Sequence, residues 1–365
     1  MRKAGMGWWA TIAAMAWFGP LHAGHDLSAD DGTPRLQISG FSDVNFFAQD
    51  EAAPGASHSG FRDGQFVLHF ASQLAPRLSA FAETTLTLQS QHGSKANVER
   101  LIIRYAVSDA LKFTMGRYHT PINWWNTAYH HGLWLQSSIG RPEMIKFGGA
   151  FLPVHFLGAM AEGVIPIGPL QVDYQLGVGN GRAADAHDTA GGNGDDDNNR
   201  ALVASVNFRH DSIYRLNIGA SAYSDKVSIM LPSADRIKEQ ITAMHIAWTD
   251  ERPEFIVEAA SVRHESETTG QSWEHTAMYA QLGWRLPWDE YRWKPYLRFE
   301  SINPEAGDPV FLHNGTEPLV VNQVIDMLGL RHDFADYAAA KLELRRQRQQ
   351  GMDVEGIHVQ IAFTF

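Results

Sequence analysis

Basic side chains recur at alternate positions in segments whose other positions are apolar. Arg100 and Arg104 lie on the polar face of one segment, on either side of Leu101 and Ile103. Because successive side chains of a β-strand point to opposite faces, these cations would share one face. A surface that carries several guanidinium and ammonium groups attracts anions. The same alternation predicts further members of this set: Arg215, Arg285, Lys294, Arg298, Lys341 and Arg345.

Acidic side chains occupy the same polar face and allow a second interpretation. They are Glu83, Glu99, Asp173, Glu258, Glu300 and Glu343. If this face lines a pore, rings of one charge sign set its ion preference, and the longer basic set predicts a preference for anions. Opposite charges on neighbouring strands also stabilise a sheet, so the charges could instead pair and hold the wall together. The sequence leaves both interpretations open.

One long segment, from His119 to Gly148, concentrates aromatic and basic residues. Long segments without a regular pattern are usually functional in a compact fold. Aromatic rings would narrow a pore, and histidine or arginine could hold an anionic solute, so we expect a constriction here. The alternative is an external loop whose tryptophans lie at a membrane interface. The residues that we expect to act are Trp124, Trp125, Tyr129, His130, His131, Trp134, Arg141 and Glu143.

The sequence gives only weak indications of metal binding or of hydrolase activity. His119, His130 and His131 have no carboxylate at ligand spacing, so the sequence predicts no metal site there. The Gly-, Asn- and Asp-rich stretch 191–199 could offer oxygen ligands to calcium but lacks the spacing of an EF-hand loop, which favours a solvated loop. His264 lies near Ser261, yet no nucleophile motif stands out. We therefore expect neither a cofactor nor an enzymatic activity.

Composition limits the class of protein. The chain has 365 residues and no cysteine, which excludes disulfides and thiolate metal sites. Its formal net charge is −11 and no basic stretch is present, which argues against a nucleic-acid partner. Eleven tryptophans and nineteen phenylalanines accompany a mean hydropathy of −0.26. Many aromatic residues in a polar chain suit a membrane barrel with interfacial aromatic belts and a wet interior.

Alternating apolar residues predict about sixteen β-strands and an all-β fold. The last of these strands, Ile357–Phe365, ends the chain on an aromatic residue, and only the stretch Asn322–Leu330 has an ambiguous face. The most apolar stretch, 150–170, contains Pro153, Pro166 and Pro169, which would break a helix. We interpret it as two strands joined by a tight turn.

The chain start has the pattern of a secretory leader. Arg2 and Lys3 precede an apolar stretch from Gly5 to Phe18, and a small residue, Ala23, follows at a suitable cleavage position. This predicts a signal peptide over residues 1–23. Residues 24–365 show no repeat and no linker, so we expect one domain.

Connections between the predicted strands alternate in length. Short ones include 75–77, 108–109 and 166–169, whereas the long ones are 49–62, 119–148, 180–199, 224–238 and 302–320. Transmembrane antiparallel barrels combine short periplasmic turns with long outer loops. The sequence therefore predicts a transmembrane antiparallel β-barrel with this arrangement.

The chain resembles the outer-membrane porins of Gram-negative bacteria in its predicted leader, its series of strands, its alternating short and long connections and its terminal Phe365. A narrower likeness, to the sixteen-stranded phosphate-selective and related carboxylate porins, rests on the run Gly116–Pro121 before the longest loop. The resemblance implies a homotrimer in the outer membrane, surrounded by lipid and lipopolysaccharide, and recognition of the C-terminal strand by the barrel assembly machinery. It implies passive diffusion of small hydrophilic solutes through a lumen narrowed by the 119–148 loop. The alternatives are a barrel enzyme of lipase or protease type and a non-conducting structural or adhesion barrel.

Overall fold

A computed structural model describes residues 35–50, 58–87, 95–129, 132–146, 150–182, 198–230, 234–313 and 315–365, and the predicted leader lies outside these ranges. Strands dominate. They are β1 Arg35–Gln49, β2 Ser59–Ala75, β3 Leu78–Thr87, β4 Lys95–Ser108, β5 Leu111–His119, β6 His155–Ile167, β7 Leu170–Gly179, β8 Ala201–His210, β9 Leu216–Ile229, β10 Asp235–Thr249, β11 Glu254–Ser266, β12 Ser272–Gly283, β13 Trp293–Asn303, β14 Leu312–His313, β15 Glu317–Pro318, β16 Gln323–Ala335, β17 Ala338–Gln349 and β18 Met352–Thr364. One helical turn, α1 Trp125–Ala128, and three 3-10 turns at Glu143–Ile145, Asp289–Tyr291 and Pro309–Phe311 complete the list.

Sixteen of the strands close into an antiparallel barrel. Each pairs with its neighbours in sequence, β13 pairs with β16, and β1 pairs with β18. Strands β14 and β15 form a separate two-residue pair in the connection between β13 and β16. The predicted barrel of about sixteen antiparallel strands is confirmed.

The C-terminal strand closes the barrel. β18 pairs with β1 from Thr364 opposite Phe41 to Gly356 opposite Gln49. The Gly40 N–H donates to the Phe365 carbonyl at 2.9 Å, and the Phe365 N–H donates back at 3.1 Å. A Cβ at position 40 would lie 2.5 Å from the Phe365 ring, so only glycine fits there. Because every edge is paired, the sheet exposes no unpaired strand.

The outer face of the barrel carries an exposed apolar belt. Leu101, Ile103 and Leu328 belong to it, whereas Arg100 and Arg104 point inward. Exposed aromatic residues gather at the end that carries the short turns, namely Trp284, Trp288, Tyr291, Phe334 and Tyr337. An apolar belt bordered by aromatic residues suits a lipid bilayer. No helix in the described part of the chain is long and apolar enough to span a membrane.

The structure corrects one predicted connection. The long loop expected over 224–238 is wrong, because β9 continues to Ile229 and pairs with β10 from Asp235. In this part of the two strands the polar side chains are on the outer face and the apolar side chains are on the inner face, the reverse of the arrangement in the belt. Lys226 and Lys238 point outward above the apolar belt, whereas Val227 and Ile237 are buried inside. The strands rise beyond the belt, so their outer face becomes polar and no longer resembles a membrane strand.

Two other segments differ from their predicted bounds. The strand expected from Leu152 begins at His155, and residues 150–152 and 154 are buried inside the barrel instead. The ambiguous stretch 322–330 belongs to β16, which runs from Gln323 to Ala335. Asp326 and Leu328 point outward there, so an acidic side chain interrupts the apolar alternation.

Candidate functional site

The longest connection, residues 120–154 between β5 and β6, folds into the barrel and is called the inner loop below. Its described parts meet inward-facing side chains on distant strands. The Asn123 N–H donates to Ser221 Oγ of β9 at 3.3 Å, and the Glu143 N–H donates to Glu300 Oε2 of β13 at 2.7 Å. The inner loop therefore lies in the lumen, in contact with inward-facing side chains of β9 and β13.

Buried carboxylates of that wall accept hydrogen bonds from the backbone of the inner loop. Glu258 Oε1 accepts from the N–H groups of Trp124 at 2.8 Å and Trp125 at 2.6 Å. Glu343 Oε1 accepts from the N–H of Ile139 at 2.8 Å. A buried N–H needs a partner, and a carboxylate oxygen of the wall provides one. These carboxylates therefore hold a segment that has little secondary structure of its own.

Cations of the same wall donate to the carbonyl groups of the inner loop. Arg298 donates to Gly140 O at 2.8 Å and to Ser138 Oγ at 2.9 Å. Lys341 donates to Ser138 O at 3.0 Å and also to Leu133 O. Arg331, which the sequence did not single out, donates to Trp134 O at 2.7 Å and to Gln136 O at 2.8 Å. Arg298 and Lys341 thus face inward, as predicted, but the loop covers them.

Lys294, another predicted cation, is also covered. Its ammonium lies 2.6 Å from Glu254 and 2.8 Å from Glu251, and Glu254 in turn accepts from Ser137 Oγ of the inner loop at 2.9 Å. Arg215 and Arg285 lie outside the strands, in the short connections before β9 and after β12. Arg285 pairs there with Glu251 at 3.0 Å and with Asp333.

Burial divides the lumen into two sides. On β10, β11, β12 and β13 nearly every second residue is buried, as the alternation over Glu254–Ser266 shows. We call this the filled side. On β4 and β18 few inward positions are buried, and the outer half of β17 has none. We call β4, β18 and the outer half of β17 the open side.

Three predicted cations lie along the open side. Arg100 Nε donates to Glu83 Oε2, Arg104 lies 2.6 Å from Glu162, and Arg345 lies 3.0 Å from Glu143. Arg104 also donates to Thr114 Oγ1 at 3.2 Å. The structure thus separates Arg100, Arg104 and Arg345, next to the open side, from Lys294, Arg298 and Lys341, beneath the inner loop.

The predicted constriction residues pack together where the inner loop begins. Trp124 and Trp125 are buried, and the Tyr129 ring meets Trp124 edge-on at 4.8 Å. The Arg141 guanidinium lies 5.0 Å from the Trp125 ring. Trp134 is buried as well, against Ala339 and Ala362. His130 and His131 lie outside the described residues.

Glu143 is the acidic residue of the inner loop that borders the open side. Its carboxylate lies 3.1 Å from Lys146 and 3.0 Å from Arg345. Burial raises the pKa of Glu143, but the two cations outweigh this effect and hold the pKa below the usual value of a glutamate. Glu143 therefore stays ionised at neutral pH.

A buried network that sequence reasoning missed fixes the connection between β13 and β16. His264 Nε2 lies 3.0 Å from Glu239, its Nδ1 contacts Asp308, and His275 Nε2 lies 2.7 Å from Asp308. Arg182 joins it at 3.1 Å from Glu239. The residues are far apart in sequence, so no spacing could have indicated them.

This network has the residue types of a metal site, and the geometry argues for hydrogen bonds instead. The ligand-type atoms of His264, His275 and Asp308 lie within 4.8 Å of one another. However, the Glu305 N–H donates to His275 Nδ1 at 2.9 Å, so Nε2 carries the ring proton and cannot bind a metal. The described part of the stretch 191–199 is limited to Asn198 and Asn199, so the calcium alternative lies mostly outside the described residues.

The residues that could suggest a hydrolase are separated. Ser261 is exposed on the outer face of β11, whereas His264 is buried on the inner face. An offset of three residues places two side chains of a strand on opposite faces. These two residues cannot act as a nucleophile and its base.

No protein-family model matches the sequence, and neither does any curated protein. Solved structures do match the fold. The anion-selective porin from Comamonas acidovorans superposes with a TM-score of 0.66 at 11% identity, over 91% of this chain and 100% of that one. The outer membrane channel DcaP of Acinetobacter baumannii gives 0.62 at 10% identity, over 92% and 99%. OmpF of Salmonella typhi gives 0.59 at 11% identity, over 92% and 99%. At the level of the fold, the predicted resemblance is confirmed: this chain has the sixteen-stranded barrel of the porins.

Proposed function

We propose that the protein is an outer-membrane porin of a Gram-negative bacterium through which small hydrophilic solutes, anions ahead of cations, diffuse along the open side. In this proposal residues 1–23 are removed as a signal peptide and residues 24–365 form the barrel. Small solutes pass without a cofactor. The barrel assembly machinery inserts the chain by its C-terminal strand, and lipid and lipopolysaccharide surround the apolar belt.

One observation carries the proposed anion preference: the cations face the water and their carboxylate partners lie behind them. The side chain of Arg100 is 18% exposed and that of Glu83 1%. Arg345 is 21% exposed and Glu143 10%, and Arg209 of β8 is 37% exposed and its partner Asp173 5%. A passing ion meets the guanidinium groups first. The local field can therefore favour anions although the whole chain is acidic.

The position of the inner loop supports its predicted role as a constriction. It covers the inward side chains of β10–β13, so the passage is restricted to the open side. Glu143, Arg141 and the tryptophans of the loop belong to this proposal, whereas the contribution of His130 and His131 rests on the sequence alone. A structure in which the interior is fully filled would favour a non-conducting barrel, but the partly exposed inward residues of β4 and β18 favour a channel.

The predicted homotrimer has a candidate surface on the outside of the barrel. An apolar hollow of about 890 Å³ crosses β12, β13, β16, β17 and β18, with Leu297, Leu328 and Ile357 among its lining residues. A sheet closed into a barrel is convex, so a hollow of this size offers a neighbouring subunit a place to pack. One of the similar structures, OmpT of Vibrio cholerae, is described in a trimer form. Light scattering of the detergent-solubilised protein would measure the number of subunits.

Single-channel recording tests the proposed function. The purified protein, inserted into a planar lipid bilayer, should produce stepwise ion conductance and show no lipase or protease activity in parallel assays. Silent bilayers with protein demonstrably inserted would favour the structural or adhesion barrel. Hydrolysis of lipid or peptide substrates would favour the enzyme.

A further inference from the structure

The inner loop ends in an arm, residues 150–154, which is attached to the buried network that fixes the β13–β16 connection. Arg182 of the β7–β8 connection donates to the carbonyl oxygen of Phe151 at 3.0 Å and also to that of Ala150. The Nε of Arg182 lies 3.1 Å from Glu239 of β10, which belongs to the network. The network therefore holds the arm by its backbone.

An aromatic contact attaches the arm a second time. Phe311, in the 3-10 turn of the β13–β16 connection, stacks on Phe151 of the arm with 5.9 Å between the ring centres. The same ring lies 5.1 Å from that of His264 and 4.5 Å from that of His275. Asp308 caps this turn by accepting a hydrogen bond from its backbone at 2.9 Å. The arm and the connection are thus packed on one cluster, and a change at His264 reaches both.

His264 carries a positive charge in this network. Its Nε2 lies 3.0 Å from Glu239 and its Nδ1 contacts Asp308, so both ring nitrogens donate to carboxylates. Burial lowers the pKa of His264, but the hydrogen bonds to Asp308 and Glu239 raise it more, to about 9. The neighbouring Glu265 pairs with Lys238 above the apolar belt, so His264 lies outside the bilayer.

Charged and titratable groups on the neighbouring elements complete the cluster. His275 of β12, with its ring centre 5.4 Å from that of His264, donates from Nε2 to the same aspartate at 2.7 Å. Asp225 of β9 accepts from the backbone N–H of Arg182 at 2.8 Å and from the hydroxyl of Tyr223 at 2.9 Å. A neutral His264 has a single ring N–H and can donate to only one of its two carboxylates. The other carboxylate is then buried with one donor fewer, which weakens the cluster.

We propose that this network is a latch on the inner loop, which opens when His264 is deprotonated from the outer side of the membrane. The arm that the latch holds follows closely in sequence on the turn Glu143–Ile145, which carries the acidic residue at the border of the open side. A released arm leaves this turn more freedom, and the passage along the open side widens. The release of the arm is a property of the fold, whereas the widening of the passage rests on the proposed function.

Thiol labelling tests the release of the arm without any need for conduction. The chain has no cysteine, so a single introduced cysteine reports on its own position. Leu152→Cys places a thiol in the arm at a buried position, and Ala339→Cys places one in β17, buried against Trp134 of another part of the inner loop. Both proteins are labelled with a water-soluble maleimide as the pH is raised. The ratio of the two rates removes the effect of pH on the thiols themselves.

The labelling ratio of the arm to β17 should be constant near neutral pH and rise about tenfold as the pH passes through about 9, because a hydrogen bond to a buried charge is lost. His264→Gln, which cannot carry the charge, should show the high ratio already at neutral pH. Glu265→Gln removes an exposed carboxylate next to it in β11 and is the matched control, which should keep the step. The titration of the otherwise unchanged protein decides the question even if His264→Gln does not fold. A constant ratio through the alkaline range, or a step that persists in His264→Gln, would overturn the latch.

Bilayer recording tests the link between the latch and the passage. With alkaline solution on the outer side alone, the single-channel conductance should increase over the pH range in which the arm is released. His264→Gln should have the larger conductance at neutral pH, and Glu265→Gln should behave like wild type. A released arm with constant conductance would overturn the control of the passage and leave the porin intact. An alkaline step in the labelling of a protein that does not conduct would leave the latch standing and refute the porin.

Discussion

Arg345 of β17 and Glu143 of the inner loop form an ion pair, with 3.0 Å between Nη2 and Oε1, at the border between the filled and open sides of the lumen. The pair links a residue of the barrel wall to a residue of the loop that narrows the lumen. It also sets the charge that a solute meets there, because Arg345 is the more exposed partner.

Replacing Arg345 by glutamine should reduce the anion preference of the channel. The substitution removes one exposed cation and leaves the charge of Glu143 without that partner. The reversal potential under a KCl gradient should move toward the cation-preferring side. Arg346→Gln is the control, since Arg346 points outward and pairs with Asp353 at 2.5 Å. Equal shifts in the two variants would show that the effect does not come from the lumen.

Arg298→Met should destabilise the barrel and loosen the inner loop. Arg298 donates to Ser138 and Gly140, and its Nη2 lies 2.6 Å from the buried Glu300. Removing one partner of a buried ion pair costs about 3–5 kcal/mol. Denaturant titration in detergent should show a loss of this order, and single channels should become larger and noisier. The double variant with Glu300→Gln should recover part of the stability, and no recovery would mean that the pair is not coupled.

The connection between β13 and β16 should stay anchored in acid until well below pH 4. Burial raises the pKa of Asp308, but the hydrogen bonds from His264 and His275 lower it more, to about 2. A free aspartate titrates at about 3.9, so the stabilisation is complete above that pH and disappears as the pH falls through about 2. Pepsin should cut the wild-type connection only near pH 2. Asp308→Asn should be cut throughout the range from pH 4 downward, and equal resistance of both proteins would refute the anchor.

The stability cost of a charged side chain on the outer face should depend on its depth in the bilayer. Leu328 lies near the middle of β16 on the outer face, whereas Gln240 lies on the outer face of β10 above the belt. An arginine at the bilayer midplane lowers the free energy of unfolding by about 2–4 kcal/mol, and one near the interface lowers it by about 0–1 kcal/mol. Unfolding titrations in lipid vesicles should therefore separate Leu328→Arg from Gln240→Arg. Similar costs at both positions would place the membrane elsewhere on the barrel.

The sequence predicted the barrel because its outer face obeys a two-residue period. Leu101 and Ile103 alternate with Arg100 and Arg104, and the terminal strand alternates to Phe365. The prediction failed where the strands extend above the apolar belt, because lipid no longer faces their outer side there. Above the apolar belt Lys226 and Lys238 face outward and Val227 and Ile237 face inward, so the strands there could not be recognised by an apolar outer face.

The candidate site was harder to predict from the sequence than the fold was. Alternation shows that Arg298 and Lys341 point inward, but it does not show what lies above them. Both donate to the backbone of the inner loop, more than 150 residues away in sequence. Neither of the two interpretations, a charged pore lining or cross-strand pairing, included this role.

Ion selectivity shows whether the exposed arginines of the open side control which ions pass. Single channels of the wild-type protein are recorded in a planar bilayer with a tenfold KCl gradient, and the reversal potential gives the permeability ratio of chloride to potassium. The exposed arginines of the open side predict a reversal potential of the sign that indicates chloride preference. They also predict that the preference decreases when Arg100 and Arg345 are both replaced by glutamine. A cation-preferring wild-type channel would contradict this account, and so would a double variant with unchanged selectivity.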